Sequence, residues 1–217
     1  MALERANPLR PIRHGDRPRA HTGDSDPERA VFAALGRLLE QVPLRDISVN
    51  QIISEAQISR ATFYFYFSSK FAVVTGLTAV VLEELSQAIE PALRASAEDD
   101  DPIQPLRRRL EAMAAVWVEH RAIMRAVAEN WQAVPELAAI WLDMIESSTD
   151  GLSREIDRNR AARGEPLGPG ARGLAAVVVW ATERLLYVSG LGRDDDLPNE
   201  REVVEVLLPL WAAAIYG

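Results

Sequence analysis

The segment from residue 57 to residue 70 carries side chains suited to recognition of a polyanion. It reads Gln-Ile-Ser-Arg-Ala-Thr-Phe-Tyr-Phe-Tyr-Phe-Ser-Ser-Lys and places aromatic rings beside cations and hydroxyls. If Phe63 and Phe67 face inward on a helix, the residues on the opposite side face solvent. Those residues are Arg60, Ala61, Tyr64 and Phe65. Exposed rings beside a guanidinium fit the sugar-phosphate surface of a DNA groove better than they fit water.

The residues just before this segment predict a second short helix. Ser48, followed three residues later by Gln51, has the pattern of a capping box, and Ser59 can cap the next helix. The first helix should end near Glu55 and Ala56, which leaves a turn of only a few residues. Two helices joined in this way form a helix-turn-helix, whose second helix enters the major groove with its N-terminal residues at the base edges.

Three phrases carry a family resemblance. Residues 47–49 read Ile-Ser-Val, residues 58–67 read Ile-Ser-Arg-Ala-Thr-Phe-Tyr-Phe-Tyr-Phe, and residues 69–70 read Ser-Lys. They resemble the N-terminal domain of the TetR family of one-component transcriptional regulators. Beyond about residue 75 the match is patchy, but Thr182-Glu183-Arg184 and the stretch from Trp211 to Gly217 resemble one repressor branch of that family.

The resemblance implies an all-α fold. An N-terminal three-helix helix-turn-helix domain would bind DNA, and a C-terminal helical domain would bind a ligand and form the dimer. The implied DNA-binding residues are Ser48, Asn50, Ser59, Arg60, Ala61, Thr62, Tyr64, Phe65, Tyr66 and Lys70. Lys70 is the only lysine of the chain and would contact a phosphate at this family position.

Two positions depart from the family pattern. Gln57 stands where glycine is usual, in a turn that tends to need a left-handed backbone, and a non-glycine residue there costs about 1 kcal/mol. Ser68 replaces a common proline and can still cap the following helix. Neither departure removes a DNA-facing group.

Composition limits the class of protein. The chain has 217 residues, 48% of them hydrophobic, and no cysteine, which fits one large domain or one small and one larger domain. A disulfide framework and thiolate catalysis are excluded. We expect a cytoplasmic protein without a membrane segment, because no N-terminal apolar run resembles a signal peptide and no window reaches about 18 uninterrupted apolar residues.

We expect three parts: an arginine-rich disordered arm over residues 1–25, the helix-turn-helix domain over 26–70, and the helical domain over 71–217. The arm can enter an adjacent minor groove or be only a soluble tail. Asp26 and Pro27 should cap and begin the first helix. Helices are expected over 26–42, 69–95, 103–120, 121–129, 135–163, 169–189 and 200–216, besides the two short ones. Residues 1–70 carry a net charge of +2 and the rest −10, which together give −8, so the cations should gather on a DNA-facing side.

All five tryptophans lie in the C-terminal part. A core or dimer-interface role suits any one of them. The resemblance instead implies a long apolar ligand tunnel lined by Met113, Trp117, Trp141, Ile145, Ser148, Leu152, Val179, Thr182, Glu183, Leu186 and Trp211. Thr182 and Glu183 would be the polar handles for a small hydrophobic effector. Ser148 and Val179 stand where the related branch has an aromatic residue and an asparagine, so the ligand need not be the same.

The last two helices should form a homodimer. Their apolar stripes exceed what one subunit can easily cover; they are Leu174, Val177, Val178, Ala181, Leu185 and Val188, and Val203, Val206, Leu207, Leu210 and Ala214. Two-fold symmetry would place two recognition helices on a pseudo-palindromic operator. Effector binding would change their separation through the long helix after Ser69 and favour the DNA-free state. Repression is expected because most of the family represses.

Two other classes of protein are weighed against a regulator. An enzyme would have to use Glu183 as a lone carboxylate, since His14 and His21 fall in the arm and His120 is most simply a helix C-cap. No metal-ligand spacing, phosphate-binding loop or nucleophile elbow is present, so no metal or cofactor is expected. A carrier protein that uses its first helices only as a scaffold would leave exposed Tyr64 and Phe65 unexplained.

Overall fold

The computed structural model describes residues 27–95, 101–164, 170–191, 198–199 and 202–217. The expected arm over residues 1–25 lies outside these ranges, and so does Asp26, the expected cap of the first helix. The described residues form helices and no strand, which agrees with the predicted all-α class. The helices are α1 (Pro27–Gln41), α2 (Val49–Ala56), α3 (Arg60–Tyr66), α4 (Lys70–Ala95), α5 (Ile103–Glu119), α6 (Arg121–Asn130), α7 (Pro135–Ala162), α8 (Ala171–Ser189) and α9 (Val203–Tyr216). One 3₁₀ turn, Leu44–Asp46, precedes α2.

Local capping chemistry sets the ends of the short helices. The predicted capping box is present, because the Gln51 amide donates to Ser48 Oγ at 3.2 Å and the Ser48 amide donates to Gln51 Oε1 at 2.8 Å. Ser59 caps α3. Ser69 rather than Ser68 caps α4, since the Ala72 amide donates to Ser69 Oγ at 3.2 Å. The expectation for Ser68 is therefore corrected: α4 begins at Lys70, and the residue directly before it takes the cap.

The helices divide into two compact units. The first unit contains the described residues 27–81 and 120–141, namely α1 to α3, the start of α4, α6 and the start of α7. In it α1 packs against α2, α3 and α6, and α2 and α3 contribute the fully buried Ile52 and Phe63. The sequence placed α6 in the C-terminal part, but packing groups it with the first helices. The core of this unit fixes α3.

A glycine brings α1 and α4 together in the first unit. A Cβ at Gly76 would lie 2.9 Å from Phe32 Cζ, closer than carbon atoms normally approach. The ring of Phe32 packs 5.6 Å, centroid to centroid, from the ring of Phe67. The absence of a side chain at position 76 therefore allows the aromatic cluster beneath α3 to close.

The second unit contains the described residues from 82 to 119 and from 142 to 217. In it α9 packs against α5 and α8. A half-buried to buried ion pair joins α5 to α7, with Arg109 Nη1 2.9 Å from Glu155 Oε2. The Arg109 guanidinium also lies 4.6 Å from the ring centroid of Trp211 on α9. The Arg109 side chain thus links its own helix, α5, to α7 and α9.

By length and composition alone, α4 is long and apolar enough to cross a membrane between Lys70 and Arg94. Core helices of water-soluble proteins pass the same test. In the first unit the α4 residues Val73, Val74, Thr78 and Val81 are fully buried. Protein contacts thus account for the apolar character of that half of the helix.

Candidate functional site

Helix α3 separates its aromatic side chains into a buried set and an exposed set. Phe63 and Phe67 are buried, whereas Tyr64 and Phe65 are 46% and 54% exposed, which confirms the orientation predicted from helical spacing. Tyr66 is half-buried. Two large exposed rings on a helix of seven residues form an apolar surface that water does not favour.

Arg60 begins α3 and is held by two neighbours. Its Nη1 donates to Asn50 Oδ1 at 2.8 Å and its Nη2 to the Tyr64 hydroxyl at 3.5 Å. Its guanidinium carbon also lies 5.2 Å from the centroid of the Tyr64 ring. The guanidinium is therefore oriented before any ligand arrives, which lowers the entropy lost on binding. Asn50 belongs to α2, so the two helices of the motif share this contact.

The predicted serines have structural contacts of their own. Ser59 Oγ accepts from the Thr62 amide at 3.0 Å and lies 2.8 Å from Thr62 Oγ1. Ser48 Oγ accepts from the Gln51 amide, as described above. Both hydroxyls fix helix starts, and Ala61 is exposed beside them. In DNA complexes, phosphate oxygens accept hydrogen bonds from the free N–H groups at helix starts. The two helix starts that these serines cap are of this kind.

The turn of the motif keeps the left-handed backbone expected of a glycine. Gln57 has φ 55° and ψ 39° and is the one non-glycine residue with positive φ in the described part of the chain. The Gln57 amide donates to Ser54 O at 3.2 Å and the Ile58 amide to Ile53 O at 3.3 Å. These two bonds form a Schellman motif, which ends α2 and aims the chain into α3. The substitution of glycine by Gln57 thus leaves the geometry intact at an energetic cost.

Lys70 makes backbone contacts within the first unit, and its phosphate contact stays a prediction. Its Nζ donates to the carbonyl oxygens of Leu44, Arg45 and Ile47 at 2.8, 3.3 and 2.7 Å. Burial lowers the pKa of the Lys70 ammonium, and nearby Asp46 partly opposes this by raising it. An ammonium has three donors, and here all three are used within the first unit. The ammonium thereby links the start of α4 to the residues that precede α2.

Most residues of the predicted effector region are buried in the second unit. Buried members are Trp117, Ile145, Leu152, Val179, Thr182, Glu183, Leu186 and Trp211. Met113 is half-buried. Trp141 is fully buried but falls in the first unit. These are apolar helical surfaces of the kind that line ligand cavities, as well as ordinary core positions.

Ser148 does not belong to the buried set. It is exposed, and its Oγ donates to Met144 Sδ at 3.9 Å. The buried face of this part of α7 passes through Ile145, Thr149 and Leu152, and helical spacing turns Ser148 to one side of it. The expectation that Ser148 lines an enclosed tunnel is corrected accordingly.

Thr182 and Glu183, the two polar residues predicted to bind the effector, differ in whether their hydrogen-bonding atoms are already used. Thr182 Oγ1 accepts from Trp211 Nε1 at 2.8 Å and donates to Val178 O at 2.8 Å. Its hydroxyl is therefore occupied. Glu183 is 4% exposed, and among the described residues neither carboxyl oxygen has a hydrogen-bond partner. Burial raises the pKa of the Glu183 carboxyl, and Arg184, whose Nε lies 3.8 Å away, only partly offsets this.

Sequence reasoning missed the contacts that connect distant parts of the chain. Arg109 and Glu155 carry no motif, and their spacing gives no signal that they pair. The Asn50–Arg60 bond was likewise not foreseen, although Asn50 was among the expected DNA-facing residues. His120 directly follows Glu119, the last residue of α5, at the helix end where a C-cap was predicted, and it is also the N-cap residue of α6, to which its side chain makes no capping bond.

Comparison with known protein families identifies the class. Residues 32–76 match the family described as bacterial regulatory proteins, tetR family. Residues 76–217 match the C-terminal domain of the transcriptional regulator EthR. The chain therefore belongs to the TetR family of transcriptional regulators, and its helix-turn-helix is the DNA-binding motif of that family.

Individual relatives show which branch of the family the chain resembles. The chain is 32% identical over 203 residues to the HTH-type transcriptional regulator EthR of Mycobacterium tuberculosis, covering 94% of this chain and 93% of that protein. It is 30% identical to EthR of Mycolicibacterium smegmatis, covering 94% and 92%. The branch predicted from the phrases near Thr182 and Trp211 is thus confirmed as EthR-type. Because these relatives are transcriptional regulators, the chain is a regulator and not an enzyme.

Solved structures agree on the fold. A transcriptional regulator from Rhodococcus sp. Rha1 superposes with a TM-score of 0.63 at 18% identity, covering 88% of this chain and 98% of that one. The TetR family transcriptional regulator PfmR from Thermus thermophilus gives a TM-score of 0.60 at 21% identity, covering 86% and 97%. At this identity the likeness concerns the fold alone.

Proposed function

We propose that this chain is a cytoplasmic, dimeric repressor that binds a pseudo-palindromic DNA operator through α3 and leaves it when a small apolar effector binds. The observation that supports operator binding is the exposed face of α3, where Asn50 holds Arg60 beside two exposed aromatic rings. A carrier protein would have no use for this face.

The α3 face suits the major groove. Arg60 uses one donor for Asn50 and a second for the Tyr64 hydroxyl. A guanidinium has five donors, so the remaining three can address the O6 and N7 atoms of a guanine. Tyr64 and Phe65 can contact thymine methyl groups or sugars. The remaining residues of this proposed interface are Ser48, Asn50, Ser59, Ala61, Thr62, Tyr66 and Lys70.

The experiment is a gel-shift titration with DNA from upstream of the chain's own operon. Arg60→Ala should weaken binding to that DNA, by roughly 1–3 kcal/mol if Arg60 makes a bidentate contact to guanine, and should spare random DNA. Arg158→Ala is the matched control, because it removes one exposed cation from α7. Equal weakening by both variants would show that only net charge matters. No sequence-specific shift with the wild-type protein would refute the proposed operator binding.

The proposed dimer uses the outward faces of α8 and α9. Val177 on α8 and Val206 and Leu210 on α9 are 64%, 49% and 40% exposed, and the two helices pack together. Other members of the predicted stripes, Val178, Val203, Leu207 and Ala214, are buried within the second unit and belong to its core. The exposed members form an apolar surface that a second copy can cover isologously.

Sedimentation tests the dimer. Val177→Arg should shift the protein to monomers, because it places an unpaired charge in the interface. Val80→Arg is the matched control, since Val80 is an equally apolar side chain at 52% exposure on α4. Dimers that persist with Val177→Arg would move the interface elsewhere.

The proposed effector is apolar with one hydrogen-bond donor. Glu183 is the handle, because the Thr182 hydroxyl is already satisfied and the Glu183 carboxyl is not. A buried carboxyl without a partner is stabilised by any ligand donor that reaches it. We therefore expect an amine or alcohol head group on the effector, and not a carboxylate.

Three ten-carbon probes separate these chemistries. 1-Decylamine and 1-decanol should raise Tm and quench tryptophan fluorescence more than decanoate does, since a ligand that binds only the folded state raises Tm. Glu183→Leu should reduce the preference for the amine. A stronger response to decanoate than to decylamine would contradict the assignment of Glu183 as the handle.

A further inference from the structure

The largely buried guanidinium of Arg109 has one donor atom that its own neighbours leave unused. Its Nη1 donates to Glu155 Oε2 on α7 at 2.9 Å, and its carbon lies 4.6 Å from the ring centroid of Trp211 on α9. Its Nε is buried and has no hydrogen-bond partner among the described residues. Buried N–H groups nearly always have a partner, which is protein, water or a ligand. The Nε donor therefore calls for an acceptor that these residues do not supply.

Trp211 connects Arg109 to the residues proposed to bind the effector. The Trp211 indole Nε1 donates to Thr182 Oγ1 on α8 at 2.8 Å. The next residue of α8 is Glu183, whose two carboxyl oxygens are also buried without a hydrogen bond from the described residues. Arg109, Thr182, Glu183 and Trp211 all belong to the second unit. An unused donor and an unused carboxyl thus lie in one neighbourhood of a single tryptophan.

The charges around Arg109 decide which kind of acceptor fits its Nε. Glu155, at 2.9 Å, already balances the guanidinium, so the pair as a whole has no charge left to attract an anion. Glu183 becomes a further negative group when it ionises, and it would repel a carboxylate or a phosphate. A carbonyl oxygen accepts a hydrogen bond without bringing a charge of its own. A neutral carbonyl therefore suits this site better than an anion does.

We infer that Arg109 is a second polar contact of the effector, and that its Nε donates to an ester or amide carbonyl. The inference rests on the proposed effector binding, and it adds an acceptor to the donor assigned there through Glu183. The effector is then an apolar molecule with two polar groups, a donor at Glu183 and a carbonyl at Arg109.

Two probes separate the two contacts. Methyl decanoate has a carbonyl acceptor and no N–H or O–H donor, whereas protonated 1-decylamine has donors and no acceptor. The Kd of each is measured by titration of tryptophan fluorescence.

Arg109→Lys removes the proposed donor and keeps the charge. Lysine has a methylene at the position that Nε takes in arginine, and its ammonium can still pair with Glu155. Because a hydrogen bond from a charged group is lost, the variant should bind methyl decanoate about tenfold or more weakly, with less than about a twofold change for 1-decylamine. Glu183→Leu should give the reverse pattern.

A matched control distinguishes ligand contact from a structural role. Arg107→Lys makes the same replacement on the same helix, at an arginine that pairs with Glu205, and should change neither Kd. If Arg109→Lys weakens both probes alike, or leaves methyl decanoate unaffected, Arg109 has no part in binding and the inference is overturned. An ester that depends on Glu183 and not on Arg109 would overturn it too, since a protonated Glu183 would then be the donor.

Infrared spectroscopy tests the contact even if Arg109→Lys fails to fold. The ester carbonyl absorbs apart from the protein amide bands and moves to lower frequency when it accepts a hydrogen bond. Methyl decanoate bound to the Glu183→Leu protein should show this shift relative to the ester in a hydrocarbon solvent. An unshifted band, or no binding of the ester to the wild-type protein, would refute the contact. If 1-decylamine binds no better than its hydrocarbon chain, the proposed role of Glu183 fails, and the ester still decides the role of Arg109.

Discussion

Replacing Glu183 with glutamine should make the folded protein more stable at neutral pH. The carboxyl is buried on α8, and none of the described residues gives it a hydrogen bond. A buried charged group without a hydrogen-bond partner costs about 1–3 kcal/mol or more, and Arg184 Nε, 3.8 Å from the carboxylate, offsets part of this cost. Glutamine keeps a buried polar group but removes the charge, so the net gain in the free energy of unfolding should be roughly 1–2 kcal/mol.

The gain should depend on pH. Burial raises the pKa of Glu183 above its ordinary value of 4.5, so the folded state holds this proton more tightly than the unfolded state. The destabilising contribution is therefore absent below about 4.5, grows as pH rises toward the folded-state pKa, and is fully present above it. The wild-type and Glu183→Gln proteins should differ most at neutral pH and converge in acid.

Denaturant unfolding at a series of pH values measures this difference. For a chain of this length, each kcal/mol should also shift Tm by about 2–4 °C. Glu155→Gln is the matched control, because the same change at a carboxylate 2.9 Å from Arg109 should destabilise by about 3 kcal/mol through the loss of a largely buried pair. If Glu183→Gln destabilises as Glu155→Gln does, the Glu183 carboxylate has a partner in solution, and its assignment as a free handle is refuted.

Four further changes test single features. Gln57→Gly should raise the free energy of unfolding by up to about 1 kcal/mol, because it relieves the left-handed backbone; an unchanged denaturation midpoint would argue against strain there. Ser48→Ala should cost about 1 kcal/mol by removing the capping box, measured in the same way. Trp211→Phe should lower stability by about 1 kcal/mol in the second unit through the lost bond to Thr182. Deletion of residues 1–22 should leave Tm and oligomeric state unchanged while weakening operator binding at low salt, as a gel shift would show.

The helices and their boundaries could be predicted because their signals are local. Pro27, Ser48 with Gln51, and Ser59 each act within a few residues of themselves, so the sequence contains the whole interaction. The exposed face of α3 followed in the same way from the spacing of Phe63 and Phe67. Positions of this kind need no knowledge of tertiary packing.

The sites that depend on distant contacts could not be predicted. Lys70 meets carbonyls from 23 to 26 residues earlier, and nothing in its own neighbourhood indicates them. Ser148 was assigned to a tunnel by resemblance, but the buried face of α7 passes beside it. The Thr182 hydroxyl is occupied because Trp211, on another helix, donates a hydrogen bond to it. The Glu183 carboxyl receives no such bond from the described residues.

The Arg109 guanidinium constrains how this chain can change over generations. Loss of Arg109 alone leaves Glu155 as an isolated carboxylate and removes the cation beside Trp211, and loss of Glu155 alone strands the guanidinium. Each single step passes through a destabilised intermediate, whereas a joint replacement by well-packed apolar residues need not. Positions 109 and 155 should therefore be inherited as a unit among descendants of this chain, with substitutions at one accompanied by substitutions at the other.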